Sequence, residues 1–154
     1  MTIAQFTVPP VVKAISVRTT PARAFELFAR DLARWWPLAQ FHTGPDPVDC
    51  AIEPHAGGRV FERAADGRET AWGSVLAYDP PHRLAFTWIV GLSAEQEQRV
   101  EIRFTPEKDG TRVELTHSGW EKLGEAAASL RERYDHGWAT LIERCFADYA
   151  NTAS

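Results

Sequence analysis

Two hydrophobic rhythms share this chain, a helical one near each end and an alternating one between them. Val11–Val17 (VVKAISV) is rich in β-branched residues and predicts a first strand. Thr20-Pro21 supplies an N-cap and a proline suited to the first helical position. Ala24, Phe25, Phe28 and Leu32 then recur at three- and four-residue spacing, which predicts a helix. Trp35-Trp36-Pro37 closes that helix, or a second short one beginning after Asp31. Pro9-Pro10 blocks regular structure ahead of the first strand and leaves residues 1–10 as a loose arm.

From Ala51 the period becomes two. Ala51–Glu53 is a short strand closed by Pro54 and Gly57-Gly58. Arg59–Arg63 and Ala71–Tyr78 follow, separated by the turn signal Asp66-Gly67. Leu84, Phe86, Trp88 and Val90 share one face of the next strand. Val100, Ile102 and Phe104 do the same within Gln98–Thr105, as do Val113, Leu115 and His117 after Asp109-Gly110. Strands joined in sequence by tight turns predict an antiparallel meander. Residues 39–49, with Gly44, Pro45 and Pro47, form a loop that is either solvated or a lid carrying Phe41 and His42.

After His117-Ser118-Gly119-Trp120 the helical period returns. Leu130, Tyr134, Trp138, Leu141, Cys145 and Tyr149 fall within an arc of roughly 100°. A long amphipathic helix after a curved sheet buries its stripe by lying across the concave face. The fold class is therefore α+β, and such a layout leaves room for a cavity between helix and sheet. Gly137 sits beside the stripe, where glycine costs about 1 kcal/mol relative to alanine. It makes room either for Trp72 or Trp88, or for a ligand.

Composition narrows the function classes. The 154 residues contain no repeat, linker or low-complexity tract and predict one domain over 1–154. A net charge of −4 without a basic run excludes a nucleic-acid footprint. No apolar stretch approaches the roughly 20 residues of a membrane span, and the N-terminus lacks a signal-peptide pattern, so a cytoplasmic location is expected. Cys50 and Cys145 have no metal-ligand spacing, the histidines form no HExxH pattern, and neither Ser74 nor Ser118 sits in a nucleophile elbow. No metal, cofactor or catalytic residue is assigned.

Several short motifs, in order across residues 11–150, carry a family resemblance. They are Pro21–Phe28, Trp35-Trp36, Gly57-Gly58-Arg59-Val60-Phe61-Glu62-Arg63, Trp72-Gly73-Ser74-Val75, and Asp79-Pro80-Pro81 with Arg83-Leu84 and Thr87-Trp88. Arg103-Phe104-Thr105-Pro106, Gly110-Thr111, His117-Ser118-Gly119-Trp120 and Gly137-Trp138 complete the set. The chain resembles the START-like, helix-grip (SRPBCC) superfamily, in the branch named after the C-terminal domain of the activator of Hsp90 ATPase. The resemblance implies a seven-stranded antiparallel sheet wrapped around a long C-terminal helix, with two short helices after the first strand. It also implies an internal pocket for apolar or aromatic molecules. It does not imply one activity, because members include lipid carriers, receptors, cyclases and chaperone regulators.

The pocket-lining set expected from the strand faces and the helix stripe is Trp36, Glu62, Trp72, Trp88, Phe104, His117, Tyr134 and Trp138. An excess of indoles packs imperfectly and offers N–H groups to a ligand. His117 is the leading polar candidate, either a structural imidazole bonded to Tyr134 or Glu62 or a group that orients a ligand. On Arg59–Arg63 either Glu62 faces inward, or Arg59, Phe61 and Arg63 do and the pocket favours anions. The expected function is binding of a lipid-like or polyketide-like molecule. The alternatives are a cyclase or dehydratase using the same cavity, with His117 or Glu62 moving protons, and a chaperone-contacting module. A homodimer is left open.

Overall fold

The computed structural model describes residues 8–153, so most of the expected N-terminal arm lies outside the described residues. β1 (Val11–Val17) leads to α1 (Pro21–Ala29), where the Thr20 hydroxyl accepts from the Arg23 N–H at 3.2 Å and Pro21 opens the helix. A separate short helix, α2 (Leu32–Trp35), follows and ends where Trp36 turns extended before Pro37. The strands are β2 (Pro47–Ile52), β3 (Arg59–Ala64), β4 (Glu69–Asp79), β5 (Arg83–Trp88), β6 (Gln98–Glu107) and β7 (Gly110–Ser118). They form one antiparallel sheet in the order β1-β7-β6-β5-β4-β3-β2. The meander thus runs from β2 to β7, and β1 adds to its far edge with Val11 opposite His117.

β2 starts four residues before the expected strand. Proline is tolerated at the first position of an edge strand, and Asp49 pairs across to Arg63 at 3.4 Å. β4 breaks the simple alternation. Register shifts leave Trp72 unpaired opposite Val60/Phe61 and Leu76 unpaired between Val75 and Ala77. These two bulges point Trp72 and Val75 inward and leave Ser74 and Leu76 exposed, so Trp72, Ser74 and Leu76 do not share a face as strict alternation would require. At the first bulge β5 passes so close that a Cβ on Gly73 would overlap the Thr87 carbonyl, which requires glycine there.

The terminal helix runs through α3 (Ala127–Trp138), a π-helical stretch over Ala139–Phe146 and α4 (Ala147–Ala153). Its buried positions after Trp138 are Leu141, Ile142, Phe146 and Ala150. An α-helix drifts by about 40° over each four-residue step. The wider i→i+5 winding opposes that drift, so a four-residue repeat keeps facing the sheet. Cys145 and Tyr149, expected on the stripe, are consequently half-buried on its flank.

The two halves of the space beneath the helix are filled differently. At one end α1 closes on the sheet, and Phe25, Phe28, Phe104, Phe146 and Trp35 pack with ring centroids 4.9–6.0 Å apart. At the other end, where β5 runs out and α3 crosses it, a hollow remains.

Candidate functional site

That hollow has a volume of about 560 Å³ and opens on one side to solvent. Its floor is a closed circuit of four indoles. Trp36 lies 5.0 Å from Trp72, Trp72 lies 6.0 Å from Trp88, Trp88 lies 5.8 Å from Trp138, and Trp138 lies 6.1 Å from Trp36. They come from the end of α2, the bulge of β4, the end of β5 and the end of α3. Tyr134, Leu130, Gly137 and Leu141 contribute the helix wall, and residues 40–43 and 90–92 the two sides. Behind the floor is an apolar gap of about 10 Å³, at the lower limit for one water molecule.

Every indole of the floor has its N–H committed to a protein acceptor. Trp36 donates to the Phe41 carbonyl at 2.9 Å, Trp72 to Glu62 Oε1 at 2.7 Å, Trp88 to the Tyr134 hydroxyl at 2.9 Å, and Trp138 to His117 Nδ1 at 2.9 Å. The expectation that these N–H groups serve a ligand is corrected: a guest meets ring faces and edges. The four bonds fix each ring's orientation, so the floor is a preorganised apolar surface of mutually tilted rings that expose 2–9% of their residues' area.

Glu62, Phe104 and His117 do not line the cavity. Phe104 faces inward on β6, but α1 covers that half of the sheet and the ring sits among Phe25 and Phe28. Glu62 points inward beneath residues 43–44. Its Oε1 accepts from the Thr43 N–H, the Thr43 hydroxyl and Trp72, all at 2.7 Å, and its Oε2 accepts from the Gly44 N–H at 2.8 Å. Burial pushes its pKa up, but the bonds from Gly44, Thr43 and Trp72 outweigh this and hold it below the usual carboxylate range. The carboxylate therefore pins the wall at Thr43 and one floor indole at once. Phe61 faces outward, covered by the Arg59 and Arg63 guanidiniums at 4.2 and 5.7 Å.

His117 is fully buried behind Trp138, stacked on Trp120 at 4.4 Å. Its partners are Trp138 and Gln98 Oε1, the latter at 2.6 Å, not the expected Tyr134 or Glu62. Burial pushes its pKa down from 6.5 to about 3, so the imidazole is neutral. A neutral, doubly bonded ring outside the cavity orients an indole; it is not placed to exchange protons with a guest.

Of the expected set, Trp36, Trp72, Trp88, Tyr134 and Trp138 come together at the cavity. Gly137 also lines it; a Cβ there would meet only Phe41, at 3.7 Å, so the glycine makes room for neither Trp72 nor Trp88. Sequence reasoning missed Val90–Leu92 and Arg133. Arg133 precedes Tyr134 on the helix, off the apolar stripe, and only the geometry of the mouth shows that it reaches the opening. Among the described residues no group of three or more His, Cys, Asp or Glu side chains is arranged to hold a metal, and no helix is long and apolar enough to cross a membrane.

A seven-stranded antiparallel sheet gripping a long terminal helix defines a START-like, helix-grip protein. More narrowly, the chain belongs to the family of activator of Hsp90 ATPase homolog 1-like proteins, whose profile matches residues 18–150. Among solved structures it is similar to an anthrahydroquino-γ-pyrone synthase, Txn09, complexed with SUM. The two share 32% identity over 94% of this chain and 98% of that one, with a TM-score of 0.63. The fold also matches a Mesorhizobium loti protein at 17% identity (94% and 98% coverage, TM-score 0.71). A Bacillus halodurans protein matches at 21% identity (93% and 97%, TM-score 0.65). No curated protein matches the chain.

Proposed function

We propose that the chain binds a planar aromatic small molecule, polyketide-like rather than acyl, in the cavity between α3 and the sheet. The observation that carries this reading is the floor of four indoles with every N–H already taken. Such a floor offers aromatic edges and apolar contact with almost no hydrogen bonding, and its cavity of about 560 Å³ falls within the roughly 300–1,000 Å³ typical of small-molecule sites. Five residues make the contact in this proposal: Trp36, Trp72, Trp88, Tyr134 and Trp138. Glu62 and His117 act behind them as anchors. Similarity to a synthase of a fused aromatic pyrone supports the same ligand class.

That similarity also favours a second reading, a ring-forming enzyme acting on the bound molecule. Tyr134 is then the group to watch. Its oxygen accepts from Trp88, which leaves the phenolic proton free for a guest oxygen. Chaperone contact has less support: Val12, Val48 and Leu76, the exposed large apolar side chains among the described residues, sit on three separate strands.

Titration with a panel of fused aromatics and fatty acids, followed by tryptophan emission, tests the binding reading. Saturable quenching by the aromatics supports it, and a response to fatty acids alone contradicts it. For the enzyme reading, Tyr134→Phe abolishes any turnover found on a polycyclic substrate; unchanged turnover removes Tyr134 from that role.

A further inference from the structure

No residue lining the cavity carries a carboxylate, although the chain as a whole has a net charge of −4. The lining holds one permanent charge, Arg133 on α3, whose side chain is exposed at the mouth. Among the described residues it takes part in no ion pair, whereas most of the other arginines do. Its neighbour Arg131 is occupied differently, donating to the Pro9 and Pro10 carbonyls at 2.6 and 2.9 Å.

Tyr134 stands next to Arg133 on the cavity wall. Trp88 fills one side of its oxygen, and its own proton has no acceptor among the described residues. Both side chains line the cavity, and together they supply a cation and a free O–H at its edge. Glu62, the carboxylate behind Trp72, does not line the cavity, and its oxygens are already held by four donors. The edge is therefore cationic and hydrogen-donating, beside a floor that is neither.

Resting on the binding reading above, we infer that the ligand is an aromatic acid. It presents an anionic oxygen, a carboxylate or an ionised phenol or enol, to Arg133 and Tyr134 while its rings lie on the indoles. A neutral hydrocarbon would satisfy the floor and leave both donors facing nothing but water. An anionic oxygen completes the site, because a guanidinium and a phenolic O–H form charge-assisted bonds to it. It also sets the direction of entry, rings first and charge at the mouth, since charge is costly to bury away from water.

The test compares anthracene-2-carboxylate with anthracene-2-carboxamide, which share rings and shape and differ in charge. Affinities are read from tryptophan quenching for the unaltered protein and for Arg133→Gln, a substitution at an exposed position. The carboxylate binds about fivefold or more tighter than the amide, and R133Q brings the ratio to within about twofold. Equal affinities in the unaltered protein, or a preference that survives R133Q, overturn the acid inference while leaving aromatic binding intact. Failure of both probes to bind overturns the cavity reading and the acid inference with it.

Discussion

The Trp138 indole N–H donates to His117 Nδ1 across 2.9 Å, and this bond assigns the proton on the imidazole. An indole N–H only donates, so Nδ1 is bare and Nε2 carries the hydrogen, which goes to Gln98 Oε1. Trp138 is thus held in the cavity floor by a histidine that must stay neutral to do so.

The first consequence is a pH dependence. The folded pKa, about 3, lies below the ordinary 6.5. Above pH 6.5 neither the folded nor the unfolded chain protonates His117, and its contribution is complete. As pH falls from 6.5 toward 3 the unfolded chain takes up a proton that the folded one refuses. Stability then drops, at most by about 1.4 kcal/mol per pH unit from this group. His117→Asn keeps an oxygen for the Trp138 N–H and does not titrate. Urea unfolding at pH 7.5, 6 and 5 should show a flatter profile for the variant; parallel losses in both proteins would mean the imidazole is not held neutral.

Glu62 acts over a lower window. Its folded pKa is depressed, so its contribution is present above the unfolded value of 4.5 and is lost as pH falls through the folded one. Glu62→Gln turns an amide N–H₂ toward the existing donors, and its expected cost at pH 7 is about 1–3 kcal/mol. The gap between the two proteins in denaturant midpoint should narrow at pH 3.5. A gap that stays constant would show that the charge on Glu62 contributes nothing.

Gly137 separates packing from binding. A Cβ there meets Phe41 at an ordinary 3.7 Å, so Gly137→Ala should stabilise the helix by about 1 kcal/mol. Gly137→Leu should fold equally well and fill the hollow, and tryptophan quenching by fused aromatics should fall sharply. A melting temperature lowered by G137A would mean the glycine is required for close packing.

The sheet was readable from sequence where one face is buried throughout, as along β5, β6 and β7, because strict alternation then survives. It was less readable on β4, whose two bulges reset the phase at Trp72 and Leu76. On β3 the usual signal is inverted: an acid faces inward because four donors await it, and a phenyl ring faces outward because two arginines cover it. The terminal stripe is displaced after Trp138 because the π-helical winding changes which residues meet the sheet. The tryptophans of the floor stood out individually, but their N–H acceptors come from four different elements and only the folded chain brings them together. Phe104 shows that an inward-facing position is not a cavity position when a second helix covers that half of the sheet.

The most direct measurement follows the six indole N–H signals by nitrogen-15 NMR while anthracene-2-carboxylate is added. Trp36, Trp72, Trp88 and Trp138 border the cavity, whereas Trp35 and Trp120 do not line it and bond to the Phe28 and His117 carbonyls in the core. Saturable shifts in the first four, clearly larger than those of the other two, are the expected result. Shifts spread evenly over all six, or none at saturating probe, would contradict an aromatic site on the indole floor.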